Sequence, residues 1–172
     1  MLIDVHCHLD YKDFDKDRDE VIENAKKNNV KIIISNGTDL ESNKKVLELS
    51  KKYDIIKPAF GLYPVEAENL SEEEIDETLN FIKKNNPVAI GEVGLDLYNG
   101  KDIEKQKKVL VKLIDLSKEL DIPLIIHSRK AEEEVIELLK ETKPKKVILH
   151  CFCGNKELTK EAESLGYVFS IP

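Results

Sequence analysis

The chain has 172 residues, 41% hydrophobic and 35% charged, with a net charge of −7. These values describe a single domain, residues 1–172, with a core that needs no disulfide staples, and they exclude a disordered or low-complexity chain. An acidic balance speaks against a general polyanion-binding surface, although bound cations can invert a local field and admit a phosphate substrate. No apolar run approaches the roughly 18 residues of a membrane helix, and no basic segment leads into an apolar signal core. The expected location is therefore cytoplasmic, with no membrane partner and no obligatory protein partner evident. Three cysteines, an odd number, do not suggest an extracellular disulfide framework.

Short apolar runs alternate with longer helical patterns. Strands are expected at Leu2–His6, Lys31–Ser35, Ile55–Phe60, Val88–Glu92, Pro123–His127, Lys146–His150 and Tyr167–Ile171. Most are β-branched and continuously apolar, as parallel strands covered on both faces are. Ser71-Glu-Glu-Glu74 has capping-box spacing, with Ile75, Leu79 and Ile82 as the apolar stripe of the helix it opens. Gln106–Leu120 and Lys130–Glu141 carry apolar residues at helical spacing, and Asn155–Leu165 ends at Gly166, placed as a C′ residue. Seven strands alternating with helical crossovers make a parallel sheet of right-handed βαβ units.

All four histidines stand at the ends of expected strands: His6 and His8 after the first, His127 after the fifth, His150 after the sixth. Glu92 ends the fourth in the same manner. The C-terminal ends of parallel strands are where α/β folds place their chemistry. Residues i and i+2 share one side of a strand, so His6 and His8 can face one cation while Cys7 points away. Four histidines with a carboxylate suit zinc, manganese, iron or nickel, and a glutamate can bridge two ions. Four adjacent strands of an open sheet spread over ~14 Å, whereas paired metals lie about 3.5–4 Å apart. A barrel aims alternate residues of every strand at one axis, so a TIM-type α/β barrel is expected.

Asp4-Val-His-Cys-His-Leu9, Gly61-Leu-Tyr-Pro64, Ile90-Gly-Glu-Val-Gly-Leu-Asp96, Ile126-His-Ser-Arg129 and His150-Cys-Phe-Cys-Gly154 resemble, in order and separation, the motifs of the TatD family of metal-dependent deoxyribonucleases. That family belongs to the amidohydrolase-like TIM-barrel hydrolases. The resemblance runs from Leu2 to Pro172 and implies phosphodiester hydrolysis of DNA, of the 3′–5′ exonuclease type, with two divalent ions (zinc, magnesium or manganese). It implies that His6, His8 and Glu92 hold one ion, that Glu92, His127 and His150 hold the second, and that Glu92 is catalytic.

Three positions depart from the family pattern. Tyr63 stands where the third-strand motif usually carries histidine, with Val65 where a polar residue is common; a Tyr63 hydroxyl still offers a substrate contact. Cys153 stands for serine. The family also places an acidic ligand after an eighth strand, in a Glu-Thr-Asp-Ala-Pro-like motif, that no residue here matches; a complete barrel takes about 200–250 residues. Seven of eight strands are therefore expected, in a C-terminally incomplete domain with an open seam between the first and seventh.

Arg129, with Arg18 the only arginine, offers a planar fork for phosphate, against the alternative of a salt bridge across the rim. Asp96 is placed to support a ligand histidine or to cap the following loop. Cys151 and Cys153 with His150 resemble half a structural zinc site, without a second pair at matching spacing. Cys7 reads as a small buried hydrophobe. Two further functions compete: hydrolysis of a small amide or ester by the same constellation, and a degenerate homologue that binds metal without turnover.

Overall fold

Every strand pairs in parallel with its neighbours in the chain, because each is followed by a helical crossover that returns the chain to the same end of the sheet. The computed structural model describes residues 1–171; Pro172, the last residue of the expected domain, lies outside them. The elements are β1 (Leu2–Cys7), α1 (Arg18–Lys27), β2 (Val30–Asn36), α2 (Leu40–Lys52), β3 (Ile56–Phe60), α3 (Pro64–Asn69), α4 (Glu72–Asn85), β4 (Ala89–Asp96), α5 (Ile103–Leu120), β5 (Leu124–Arg129), α6 (Glu132–Thr142), β6 (Val147–His150), α7 (Lys156–Ser164) and β7 (Val168–Ser170). The sheet order runs from β1 to β7 without a crossing.

That sheet is rolled. In a flat sheet β1 and β6 would stand about 24 Å apart at 4.8 Å per strand, yet the rings of His6 on β1 and His150 on β6 stack with centroids 3.6 Å apart. The seven strands therefore form a nearly closed TIM-type barrel with β1 and β7 as the two ends of the sheet, as the alternating pattern predicts. Inside the barrel, Ala59, Ala89 and Ile125 are buried, with Ile34 and Ile148 packed against them. These residues come from five consecutive strands, and the two alanines leave room for the wall to curve. Between sheet and helices, Phe60, Ile90, Leu124, Ile126 and Leu149 pack against Ile75, Ile82, Leu110, Leu113 and Leu139. A second outer cluster, Leu9, Ile22, Ile33, Leu49, Ile55 and Ile56, lies under α1 and α2.

Local signals act as their chemistry dictates. Ser71 Oγ accepts from the Glu74 N–H at 3.3 Å, and the Glu74 carboxylate accepts from the Ser71 N–H at 2.8 Å, completing the capping box of α4. Beyond α7, Gly166 takes φ 81, and the following Tyr167 N–H returns to the Ala162 carbonyl at 3.1 Å. The structure differs from expectation at β4. Glu92 lies inside this strand rather than at its end, because residues 93–96 continue the ladder against residues 126–129 of β5. His127 is likewise two residues short of the end of β5. A register shift between Ile90 and Val93 accompanies the passage.

Gly94 sits in that extension at φ 149, where a Cβ would run into the His127 carbonyl oxygen. Gly94→Ala is therefore expected to force β4 and β5 apart and lower the unfolding midpoint in urea sharply. Phe60→Ala, which empties a fully buried site beside Phe81, is expected to cost about 3–5 kcal/mol in the same measurement.

Candidate metal centre

The five residues gather because of strand parity. Ile125 and Ile148 belong to the apolar layer inside the barrel, and His127 and His150 are two residues further along the same strands, on the same face. The polar cluster is thus the next layer up, toward the C-terminal ends. His6 Nε2 and His8 Nε2 lie 3.1 Å apart, and both approach Glu92 Oε2, at 3.5 and 3.2 Å. The other carboxylate oxygen, Oε1, lies 2.9 Å from His127 Nδ1. His150 stacks on His6 from the far side. One carboxylate therefore divides its two oxygens between two groups of imidazoles. The approach of β3 to this point requires Gly61, where a Cβ would lie 2.6 Å from the Glu92 backbone nitrogen and oxygen.

Each imidazole's second nitrogen decides which one faces the centre. His8 Nδ1 donates to the Asn36 carbonyl at 2.8 Å, leaving Nε2 inward. His150 Nδ1 meets Ser170 Oγ at 3.2 Å. His127 Nε2 lies 3.2 Å from Asp96 Oδ2. His6 Nδ1 is buried with no hydrogen-bond partner among the described residues.

The charges follow. Burial alone would raise the Glu92 carboxyl, but hydrogen bonds from His127, His6 and His8 overcome it and hold the group ionised far below the usual carboxylate range. Burial works against the cationic forms of His8 and His127, yet Glu92 beside both raises them. His150 goes the other way, to about 4, through burial and the His6 imidazole stacked on it. Cys7, half-buried against the Ile34 carbonyl, is pushed up to about 12 by desolvation, which keeps it a thiol and fits its reading as a small apolar side chain.

This donor set fits a divalent cation. Tetrahedral ligands at about 2.0–2.1 Å from an ion stand about 3.3 Å from one another, and the three edges among His6 Nε2, His8 Nε2 and Glu92 Oε2 measure 3.1, 3.5 and 3.2 Å. The five residues line a cavity of about 550 Å³.

A model of the TatD related DNase family matches residues 3–172. The chain belongs to that family. Deoxyribonuclease TATDN3 of Homo sapiens is 37% identical over 99% of this chain and 68% of its own length. The uncharacterized metal-dependent hydrolase YabD of Bacillus subtilis is 38% identical over 99% and 68%. The crystal structure of YJJV, a TatD homolog from Escherichia coli K12, superposes with a TM-score of 0.89 at 33% identity, covering 98% of this chain and 66% of that one. The chain thus spans about two thirds of the length of these TatD relatives.

The remaining residues of the TatD motifs separate by position. Arg129 lines the cavity with Lys130 and Glu132; its guanidinium lies over the Tyr98 ring, 4.3 Å from the centroid, and makes no ion pair among the described residues. Tyr63 does not line that cavity, and its hydroxyl donates to Asp96 Oδ2 at 2.6 Å. Asp96 takes both roles open to it, capping the loop through the Tyr98 and Asn99 N–H groups and touching His127. Cys151 and Cys153 lie exposed at the rim, and among the described residues no histidine, cysteine or carboxylate group joins them to form a closed zinc set. Asn36, Ser170 and Tyr11, whose ring stacks on His8 at 4.8 Å, have no motif to announce them. They reach the centre only through folding.

Adding zinc or manganese at 100 times its dissociation constant is expected to stabilise the protein by about 2.7 kcal/mol, a rise of roughly 5–10 °C in Tm for a chain of this size. Glu92→Gln should abolish that rise while the metal-free protein still unfolds cooperatively, read by calorimetry with and without a chelator.

Proposed function

We propose that this chain forms the catalytic barrel of a metal-dependent phosphodiesterase acting on DNA. The observation that carries the reading is the Glu92 carboxylate, with Oε2 turned to His6 and His8 and Oε1 to His127. That arrangement suits two divalent cations, of which His6, His8 and Glu92 would hold the first and Glu92, His127 and His150 the second. When bound, such ions polarise a phosphoryl oxygen and make water a competent nucleophile near neutral pH. The protein's own groups do the rest. Glu92 fixes the spacing of the two positions and balances their charge in a buried site. His8 and His150 keep one nitrogen each for the centre by spending the other on Asn36 and Ser170. Arg129, held over the Tyr98 ring, presents its N–H fork to a phosphate at the cavity mouth.

The DNA substrate is favoured by the deoxyribonuclease named among the relatives and by the cations Arg129 and Lys130 at the rim of an otherwise acidic chain. Attack from the 3′ end is the polarity the family resemblance implies. The test uses single-stranded oligonucleotides labelled at either end, with magnesium or manganese. The expected result is stepwise shortening from the 3′ end, lowered in Glu92→Ala by more than about 100-fold, the upper range for losing even an outer partner of a metal ligand. Cleavage that survives Glu92→Ala unchanged would sink the site. Intact oligonucleotides alongside hydrolysis of a small amide or ester would reassign the substrate.

A further inference from the structure

We propose that Asp96, braced by Tyr63, positions His127 and fixes the proton of its ring at Nε2, so that Nδ1 is presented to a divalent cation shared with Glu92. This rests on the two-ion reading above and adds the device that makes one of the two positions competent.

The argument is one of donors and acceptors. Asp96 is fully buried, and its two oxygens accept from the Tyr63 hydroxyl, the Tyr98 and Asn99 N–H groups and the Asn99 amide, so the carboxylate acts as an acceptor throughout. Its two oxygens have separate tasks. Oδ1 accepts from the Tyr98 and Asn99 N–H groups at 2.9 and 2.8 Å and so builds the loop after β4. Oδ2 accepts from the Tyr63 hydroxyl at 2.6 Å and from Asn99 Nδ2 at 3.0 Å, and it faces His127 Nε2 at 3.2 Å. Tyr63 has a single proton, spent on Asp96, so toward His127 Nε2, 3.3 Å away, its oxygen is an acceptor too. Two acceptors converge on one ring nitrogen, and that nitrogen must carry the hydrogen. Nδ1 is then the lone-pair nitrogen, yet it points at Glu92 Oε1 from 2.9 Å. Two acceptors at that distance require a positive charge between them. A divalent cation held jointly by Nδ1 and Oε1 would supply it. Tyr63, where the family motif usually has a histidine, thus serves the metal centre through Asp96 rather than meeting substrate.

The test is a zinc titration against a competing chelator, counting ions and resolving two affinities. Asp96→Asn keeps a side-chain oxygen for the Tyr98 and Asn99 N–H groups but sets an NH₂ donor against His127 Nε2. Tyr63→Phe removes the brace and leaves the loop untouched. In Asp96→Asn the second ion is expected to bind about 10–100-fold more weakly while the first keeps its affinity. Tyr63→Phe should lie near the lower end of that range, and this variant carries the test if Asp96→Asn does not fold. The zinc-loaded wild type should also show a slowly exchanging His127 ring N–H signal by NMR that Asp96→Asn loses. Two ions bound by Asp96→Asn as in the wild type, or equal weakening of both in either variant, would overturn the inference alone. A wild-type chain that takes up fewer than two ions overturns the two-ion reading itself and the inference with it.

Discussion

The structure turns on a buried carboxylate that must stay ionised. Glu92 is 6% exposed, and an anion at that depth is tolerable only if every lone pair is met by a donor or a cation. Three imidazoles surround it, and their positions follow from that demand. His6 and His8 come from the first strand, His127 from the fifth, and no sheet geometry but a rolled one brings both to the same glutamate. Barrel curvature, the alanines beneath the site and the glycines at 61 and 94 are all conditions for that contact. Gly61 lets β3 approach the Glu92 backbone, and Gly94 lets β4 lie against the His127 carbonyl.

A second carboxylate repeats the design four residues along the same strand. Glu92 divides its oxygens between two sets of histidines, and Asp96 divides its own between a loop and a histidine. Through Asp96 the loop that carries Tyr98 is tied to the ring of His127, and Tyr98 in turn supports Arg129. The rim group suited to phosphate and the ligand suited to metal are therefore two ends of one chain of contacts, hydrogen-bonded from His127 to the Tyr98 loop and cation–π from Tyr98 to Arg129, braced at the middle by Tyr63.

Much of this was legible in the residues. Seven apolar runs mark seven strands because parallel strands are buried on both faces, and the Ser71–Glu74 box and Gly166 mark helix ends because capping is local chemistry. Four histidines and Glu92 near the ends of their strands show where the site lies. The end of β4 was not legible. The fourth strand was expected to stop at Glu92, and only pairing with β5 carries it on through Val93, Gly94 and Leu95. The outer partners were hidden for the same reason. Asn36 contributes a backbone carbonyl, which any residue has, and Ser170 acts across 20 positions of chain. Asp96 was visible as a choice between two roles, and geometry gives it both.

The acidic composition and a polyanionic substrate are compatible once charge is counted locally. The −7 of the whole chain is spread over helix surfaces where lysines pair with acids, such as Lys112 with Glu72 and Asp76 and Lys140 with Glu161. Exposed pairs of this kind leave little net field at a distance in salt. Among the described residues lining the cavity, the only buried carboxylate is Glu92, and its neighbours there are imidazoles. Two divalent ions held by one carboxylate and four neutral imidazoles would give that pocket a formal charge of about +3. Attraction for phosphate would thus be confined to the mouth of the barrel, where Arg129 and Lys130 stand. Such a site would grip a phosphate at the reacting position and leave the rest of a nucleic acid largely unheld, in keeping with the proposed access through a strand end.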